Sequence, residues 1–401
     1  MNKEKLRPLK GFRDFLPKEA LKRKYVQDKI EKVFQKWGFT PLETPTLESL
    51  DLFLGQIGED EKLFYSFKDQ GGRSVILRYD QTVPACRVVA QNFQDLPMPF
   101  KRYQIQPAFR AEKPQKGRYR EFLQCDADIF GAENPEADAE VTALSLDIYK
   151  SLGFKKATAL INDRDLIKNI PYNALISIDK IKKIGEDNVL KEMQKKGFSK
   201  KGACDYLKYV KNLKPSKAVE IIFEYLKNYG FTKDWYKFDP TIVRSFAYST
   251  GPIWEIEIPN FEGGSVLGGE RYDRLVKDIS GKEIPGTGFG LGFDRTLEAM
   301  EQFKLLPETL TLSKVLVTIF NKDLLKNSIE IAKYFRDKGI NTEIYSNPET
   351  KLDKQIKYAA KEGIPNVAIV GPNEVEKGMI TVKNLKTGEQ KSMTYTEFTR
   401  A

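Results

Sequence analysis

Between residues 18 and 36 the chain reads KEALKRKYVQDKIEKVFQK, with Leu21, Tyr25, Ile30, Val33 and Phe34 recurring at near-helical spacing. That period predicts an amphipathic helix ended by Gly38. The following FTPLETPTLESL is held extended by Pro41 and Pro45. From 60 to 131 the apolar positions come in short runs: LFYSF, SVILRYD, FKRYQIQPAFRAE and YREFLQCDADIFG. β-Branched and aromatic residues bounded by Gly or Pro predict antiparallel strands there. PEADAEVTALSLDIYKSLG, residues 135 to 153, predicts a helix. Antiparallel strands beside helices predict an α+β domain rather than a doubly wound parallel one.

From about 160 to 235 the pattern turns Lys-rich and helical without strand signals, as in IDKIKKIGEDNVLKEMQKKGFSKKGACDYLKYVKNL. This predicts a helical insertion. Strands return in SFAYSTGPIWEIEI and GSVLGGERYDRLV, and GTGFGLGFDRTLEAMEQF reads as a glycine-rich strand running into a helix. LPETLTLSK, near 306, reads as a linker, dividing a first domain (1–310) from a second (314–401). The second alternates strand and helix and ends in a hairpin around MITVKNLKTGEQKSM, which predicts a small α/β domain with a mainly parallel sheet. No internal repeat or low-complexity tract interrupts either part.

Composition narrows the chemistry. Lys and Arg number 66 against 56 Asp and Glu, a formal charge of +10 that suits a polyanionic partner only weakly over 401 residues. There is no histidine at all. That removes Ser–His and Cys–His nucleophile pairs, an imidazole base and His-ligated zinc. Cys86, Cys125 and Cys204 are far apart, so neither a disulfide framework nor a metal knuckle is expected, and a reducing cytoplasm is. The N-terminal MNKEKLRPLKGFRDFLPKEA has no apolar core of a signal peptide, and no run approaches a membrane span.

The densest polar stretch is PAFRAEKPQKGRYREFLQCDADIFG, residues 107 to 131. Arg110, Lys113, Lys116, Arg118 and Arg120 crowd a loop between two strands, and arginine forks match phosphate oxygens. Beyond the loop Gln124, Asp126 and Asp128 alternate, so they share one face and offer acceptors suited to an ammonium group. On composition alone this is equally a solvated basic hairpin. In GTGFGLGFDR, glycines 286, 288, 290 and 292 leave one sheet face bare for a flat ligand, with Arg295 opening the helix. Close helix–strand packing explains such a ladder equally well.

Taken together, these stretches resemble class II aminoacyl-tRNA synthetases, the histidyl-tRNA synthetases in particular, over essentially the full length. LKGFRDFLPKEA is similar to the family's opening, TPLETPTLE with Pro45 to motif 1 of the dimer interface, FRAEKPQKGRYREFLQCDADIFG to motif 2 and GTGFGLGFDR to motif 3. The terminal α/β domain resembles an anticodon-binding domain. The resemblance implies a homodimeric enzyme that uses ATP and Mg²⁺ to form histidyl-adenylate and transfers histidine to the 3′ end of tRNA(His). By the same resemblance, Arg110 would hold the α-phosphate and the amino acid's carboxylate. Glu112 and Arg118 would position the adenine end and γ-phosphate, Phe122 would stack on adenine, and Arg295 would bind the γ-phosphate. Asp80 and Thr82, with Gln124, would hold the α-ammonium, and Asp128 would accept from the imidazole. Arg244 matches an arginine that sits against the α-phosphate, with Tyr248 and Tyr272 completing the amino-acid pocket. Lys113, Gln115 and Arg120 would face the tRNA acceptor end. No side-chain nucleophile is needed, which reconciles the reaction with a histidine-free chain.

Two stretches depart from the family pattern. RSFAYSTG stands where the family reads RGLDYYTG, putting Ser249 in place of a tyrosine that touches the imidazole, and GERYDRL replaces GGRYDGL, putting Glu270 in place of a glycine. They motivate a competing reading, a synthetase-like enzyme for another amino acid. A non-catalytic regulatory subunit of ATP phosphoribosyltransferase shares the catalytic fold, but residues 314–401 and the intact Arg110, Arg244 and Arg295 argue against it.

Overall fold

In the computed structural model, residues 6–115, 117–244 and 248–399 are described. The chain divides into two compact units: residues 23–306 with the segment up to Leu16, and residues 307–401 with residues 17–22.

The first unit carries strands β1 (Thr40–Pro41), β2 (Leu47–Ser49), β3 (Tyr65–Lys68), β4 (Ser74–Leu77), β5 (Phe100–Phe109), β6 (Glu121–Phe130), β7 (Thr158–Asp163), β8 (Tyr236–Phe238), β9 (Pro252–Glu257), β10 (Leu267–Arg271) and β11 (Gly286–Gly292). Eight of them form one sheet in the order β1-β5-β6-β11-β10-β9-β7-β8, and β2-β4-β3 form a small second sheet. From β5 to β7 every pairing is antiparallel; only the outer pairs β1·β5 and β7·β8 are parallel. The α+β expectation therefore describes the core of the sheet.

The sheet's two faces differ because side chains alternate along each strand. Tyr103, Cys125, Ala127, Ile129, Phe289, Leu291, Trp254 and Ile256 point to one side and join the main apolar core. Helices Pro17–Lys36, Pro135–Ser151, Lys217–Tyr229 and Phe293–Gln302 contribute to that core. The residues between them, Arg102, Gln104, Gln124, Asp126, Asp128 and Glu270 with the glycines of β11, occupy the other face. The row of strands from β5 to β9 thus carries a dry face and a polar one.

The helical stretch begins later than its sequence suggests. Thr158–Asp163 is strand β7, bonded to both β9 and β8, and helices follow from Arg164 to Tyr229. Residues 167–210 pack into a core of their own, whereas Val219, Ile222 and Leu226 belong to the main one. The last helix is thus a crossover between parallel neighbours β7 and β8, and strand β7 read as helical because its TALIND run is too short and too buried to alternate. A second difference is the helix Thr82–Gln91, whose all-round burial erases a polar stripe.

The second unit contains β12 (Val315–Val317), β13 (Thr342–Ile344), β14 (Asn366–Ile369), β15 (Ile380–Asn384) and β16 (Gln390–Met393) in the order β13-β12-β14-β15-β16. The first two pairings are parallel and the last two antiparallel, so the sheet is half parallel because its terminal hairpin extends it.

Candidate active site

The polar face of the large sheet floors a cavity of about 660 Å³, within the size range of small-molecule sites. Glycines make the floor possible. A Cβ at Gly288 would overlap the Asp128 carboxylate and come within 2.6 Å of the Ala127 carbonyl oxygen, and one at Gly290 would lie 2.9 Å from Gln124 Nε2. At Gly268 it would overlap the Arg244 guanidinium, which lies directly across β10. The glycine ladder therefore serves the polar face, not helix packing.

One end of the cavity is rich in acceptors. Arg102, fully buried, lies 2.5 Å from Asp128 Oδ2 and donates to Gln104 Oε1 at 3.0 Å. Tyr272 donates its hydroxyl to the other Asp128 oxygen. Gln124 Nε2 donates to Asp126 at 3.2 Å, while Gln124 Oε1 has no hydrogen-bond partner among the described residues. Asp80 Oδ1 caps the backbone N–H of Val83 at 3.1 Å and its buried Oδ2 is likewise unpartnered. Burial pushes Asp80 up to about 6, against the pull of the Val83 N–H, Arg110 and Arg102. Burial also raises Asp126, with Asp128 and Asp80 adding like charge, and raises Asp128 despite Arg102. Buried acceptors with lone pairs to spare and carboxyls crowded upward in pKa describe a socket for a cation.

Arginines dominate the other end. Arg110 donates from Nε to the Tyr79 carbonyl at 3.2 Å, and its guanidinium lies 4.3 Å from the Tyr79 ring centroid and 5.1 Å from that of Phe122. Arg295 donates to the Ser265 carbonyl at 2.8 Å. Burial lowers its pKa and the like charge of Arg118 lowers it further, the electrostatic mark of an anion-binding place. The motif 2 loop turns back on itself where Gln115 and Arg118 exchange backbone hydrogen bonds of 3.1 and 2.9 Å. Arg118 reaches Glu112 at 3.2 Å. Gly117, at φ 71°, brings the turn against Glu298 and Arg295.

Arg244 joins the two ends. It holds a left-handed φ of 55°, uncommon for a residue with a Cβ, and its Nη2 donates to Glu270 at 3.1 Å while Nη1 lies 3.9 Å from Glu255. Burial works against its charge, but Glu270 and Glu255 more than offset this and raise its pKa.

Of the residues singled out in the sequence, Asp80, Thr82, Arg110, Glu112, Lys113, Gln115, Arg118, Phe122, Gln124, Asp128, Arg244, Tyr248, Tyr272 and Arg295 all line this cavity. Ser249 and Arg120 are not among the lining residues. Ser249 donates its hydroxyl to Glu270. Arg120 donates to the carbonyls of Glu112 and Lys10 at 3.1 and 3.3 Å, its stem against Gly11, and so fastens the N-terminal segment to the loop. Lys116, and Ser245, Phe246 and Ala247 of the departing RSFAYSTG, lie outside the described residues.

Sequence reasoning missed Arg102 and Asp294. The alternation Arg102, Gln104, Gln106 mirrors Asp128, Asp126, Gln124 on the neighbouring strand and was the available signal for the first. Asp294 takes Arg13 at 2.8 Å and Arg23 at 2.6 Å, a contact between distant segments that no local pattern announces. Among the described residues no three Asp, Glu or Cys side chains gather as a metal cage.

Sequence comparison decides the family. A histidyl-tRNA synthetase family model matches residues 11–200 and 185–296, and an anticodon-binding domain model matches 314–401. The chain belongs to the histidyl-tRNA synthetase family. Among curated relatives, the histidine–tRNA ligase of Cytophaga hutchinsonii is 33% identical, covering 97% of each chain. That of Pyrococcus furiosus is 36% identical over 95% of each. The crystal structure of histidyl-tRNA synthetase from Nostoc sp. PCC 7120 matches with a TM-score of 0.85 at 27% identity and 98% coverage of both chains. A Bacillus halodurans structure described as an ATP phosphoribosyltransferase regulatory subunit/histidyl-tRNA synthetase shares the fold, with a TM-score of 0.71 at 22% identity. The family's two parts, synthetase core and anticodon-binding domain, are thus both present. No helix among the described residues is long and apolar enough to cross a membrane.

Proposed function

We propose that this histidyl-tRNA synthetase family member activates histidine with ATP and transfers it to the 3′ end of tRNA(His). The observation that carries the reading is one cavity with ammonium acceptors at one end, the guanidiniums of Arg110, Arg118 and Arg295 at the other, and Arg244 between them. Asp80 and Gln124 take the α-ammonium on their unpartnered oxygens, with Thr82 beside them. Asp128, fixed by Arg102 and Tyr272, accepts from the imidazole, and Tyr248 closes the pocket. Arg110 and Arg244 hold the histidine carboxylate against the α-phosphorus. That carboxylate is already an anion, so it attacks without a protein base and pyrophosphate leaves in line. Arg118 and Arg295 take the γ-phosphate, Glu112 the adenine end, and Phe122 stacks on the base. A magnesium ion arriving with ATP would supply charge neutralisation at this end, beside Arg118 and Arg295. Positioning by preset cations accounts for the acceleration without a nucleophilic side chain.

Lys113 and Gln115 serve the acceptor end of the tRNA, where phosphate contacts position and base edges specify, while Arg120 acts by anchoring the loop that carries them to the N-terminal segment. Residues 1–310 act as the synthetase core and 314–401 as the part that reads the anticodon. The working enzyme is a cytoplasmic homodimer, a state that sedimentation would check.

Amino-acid-dependent pyrophosphate exchange with ATP and Mg²⁺ against all twenty amino acids tests this. Exchange with histidine alone, followed by charging of tRNA(His), is expected. Exchange with another amino acid reassigns the substrate, and none from folded protein turns the reading toward a regulatory paralogue.

A further inference from the structure

Glu270 is a charged group on the floor of the amino-acid end whose role the reaction above does not account for. It is 5% exposed and lines the cavity. One carboxylate oxygen takes Arg244 Nη2 and the other the Ser249 hydroxyl. A carboxylate has about four acceptor positions, so both oxygens retain capacity for a ligand. Its place in the sheet is specific. Glu270, Gly288 and Asp128 are directly cross-paired on β10, β11 and β6. At about 4.8 Å between neighbouring strands, the two acids stand two strand spacings apart over a residue without a side chain. Asp128 leans across that glycine toward β10, as the overlap with a Cβ at Gly288 requires.

A neutral imidazole carries one donor and one acceptor, whereas an imidazolium carries two donors. Two carboxylates on either side of a ring match the second pattern and leave the first with a lone pair facing an anion. On the functional reading just given, we propose that Glu270 is a second ring-binding residue, and that with Asp128 it makes the pocket select the histidine side chain as an imidazolium, one N–H to each carboxylate.

The surrounding charges are consistent with this. Arg244 and Arg164 face Glu270, and Arg102 is committed to Asp128. With Arg110 beside Asp80, four guanidiniums stand against Asp80, Asp126, Asp128, Glu255 and Glu270, and burial pushes the first four of these carboxyls toward their neutral forms. Tyr248 and Tyr272 bring phenols and Cys86 a thiol, all pushed up by burial and therefore neutral. What favours the imidazolium is the placement of Glu270 and Asp128 on either side of the ring, not a surplus of negative charge. Ser249, behind Glu270, acts as a positioning residue that holds the carboxylate toward the ring.

The absence of histidine from the chain makes the test unusually clean, because bound substrate then contributes every imidazole signal in the sample. Histidine labelled with ¹⁵N in the ring, titrated onto the full-length protein, should show both nitrogens protonated well above the free ring's midpoint near 6.5, by roughly 1–3 pH units. Glu270→Gln keeps the shape and a hydrogen bond to Ser249 but removes the charge. Its bound-ring midpoint should fall back by about a unit or more, and its Kd for histidine at pH 7.5 should rise roughly tenfold. A second readout needs no variant. The triazole analogue of histidine, neutral at these pH values, should bind the native protein at least about tenfold more weakly than histidine at a pH below the free ring's midpoint, the equivalent of about one pH unit.

A singly protonated ring in the native complex at pH 7 overturns the proposal. So does an unchanged midpoint in Glu270→Gln with a loss only in ATP-dependent steps, which would limit Glu270 to holding Arg244. Failure to bind histidine at all, with another amino acid bound instead, overturns the functional reading and this inference with it, and is a distinct result.

Discussion

The two ends of the cavity are built in different ways. Most of the phosphate end is local: Arg110, Glu112, Arg118 and Phe122 lie within thirteen consecutive positions (110–122), and the turn at Gly117 places them against Arg295. The amino-acid end is assembled from β5, β6, β10, β11, the helix at Thr82 and the segment around Arg244. Local construction ties the nucleotide chemistry to one hairpin. Assembly from distant elements brings Ser249 and Glu270, 21 positions apart, into direct hydrogen-bonded contact.

The sharpest break in that comparison is loss of a phosphate-end arginine. Arg110→Ala should lower histidine-dependent pyrophosphate exchange by about 10³-fold or more, with a smaller rise in the Kd for histidine, whose carboxylate it also holds, measured by calorimetry. At the other end, Arg102→Ala strands the Asp128 carboxyl, 1% exposed, in the sheet. Removing one partner of such a buried pair should cost about 3–5 kcal/mol of stability, read from chemical denaturation, where Arg118→Ala at the exposed loop should cost within about 0.5 kcal/mol.

Gly288→Ala probes the floor itself. Its Cβ meets the Asp128 carboxylate and the Ala127 carbonyl, a backbone atom that has no room to yield. Overpacking of roughly 1–3 kcal/mol should appear as weaker histidine binding and a lower Tm, with KM for ATP least changed.

The gentlest probe is pH. Asp80 must be ionised to take an ammonium, and burial holds it at about 6, above its ordinary 3.8. For folding, a raised value means that this group's contribution is fully present below 3.8 and is lost as the pH rises through about 6. For catalysis the sign reverses: kcat/KM for histidine should fall about tenfold per unit below pH 6, since that quantity reports the free enzyme. Asp80→Asn should remove this acidic limb.

Much of the architecture was legible in the sequence. The alternation Gln124, Asp126, Asp128 and the glycines of β11 gave the strands and their shared face, because a period of two is a local property of extended chain. The order of motifs gave the family. Helix Thr82–Gln91 and strand β7 were not legible, since complete burial replaces an alternating pattern with a uniform one.

By itself the sequence determined most of the strands and helices, the phosphate-binding loop and the exclusion of imidazole chemistry from the protein's own side chains. Each of these depends on residue type and spacing alone. Only the tertiary structure decided that Arg102 would fix Asp128, that Arg244 would lie across Gly268, that Arg120 would anchor the N-terminal segment, and that Ser249 would back Glu270 rather than line the cavity. Those outcomes depend on which strands become neighbours and in what register, and pairing between positions as far apart as Gln124 and Gly292 leaves no trace in the local pattern.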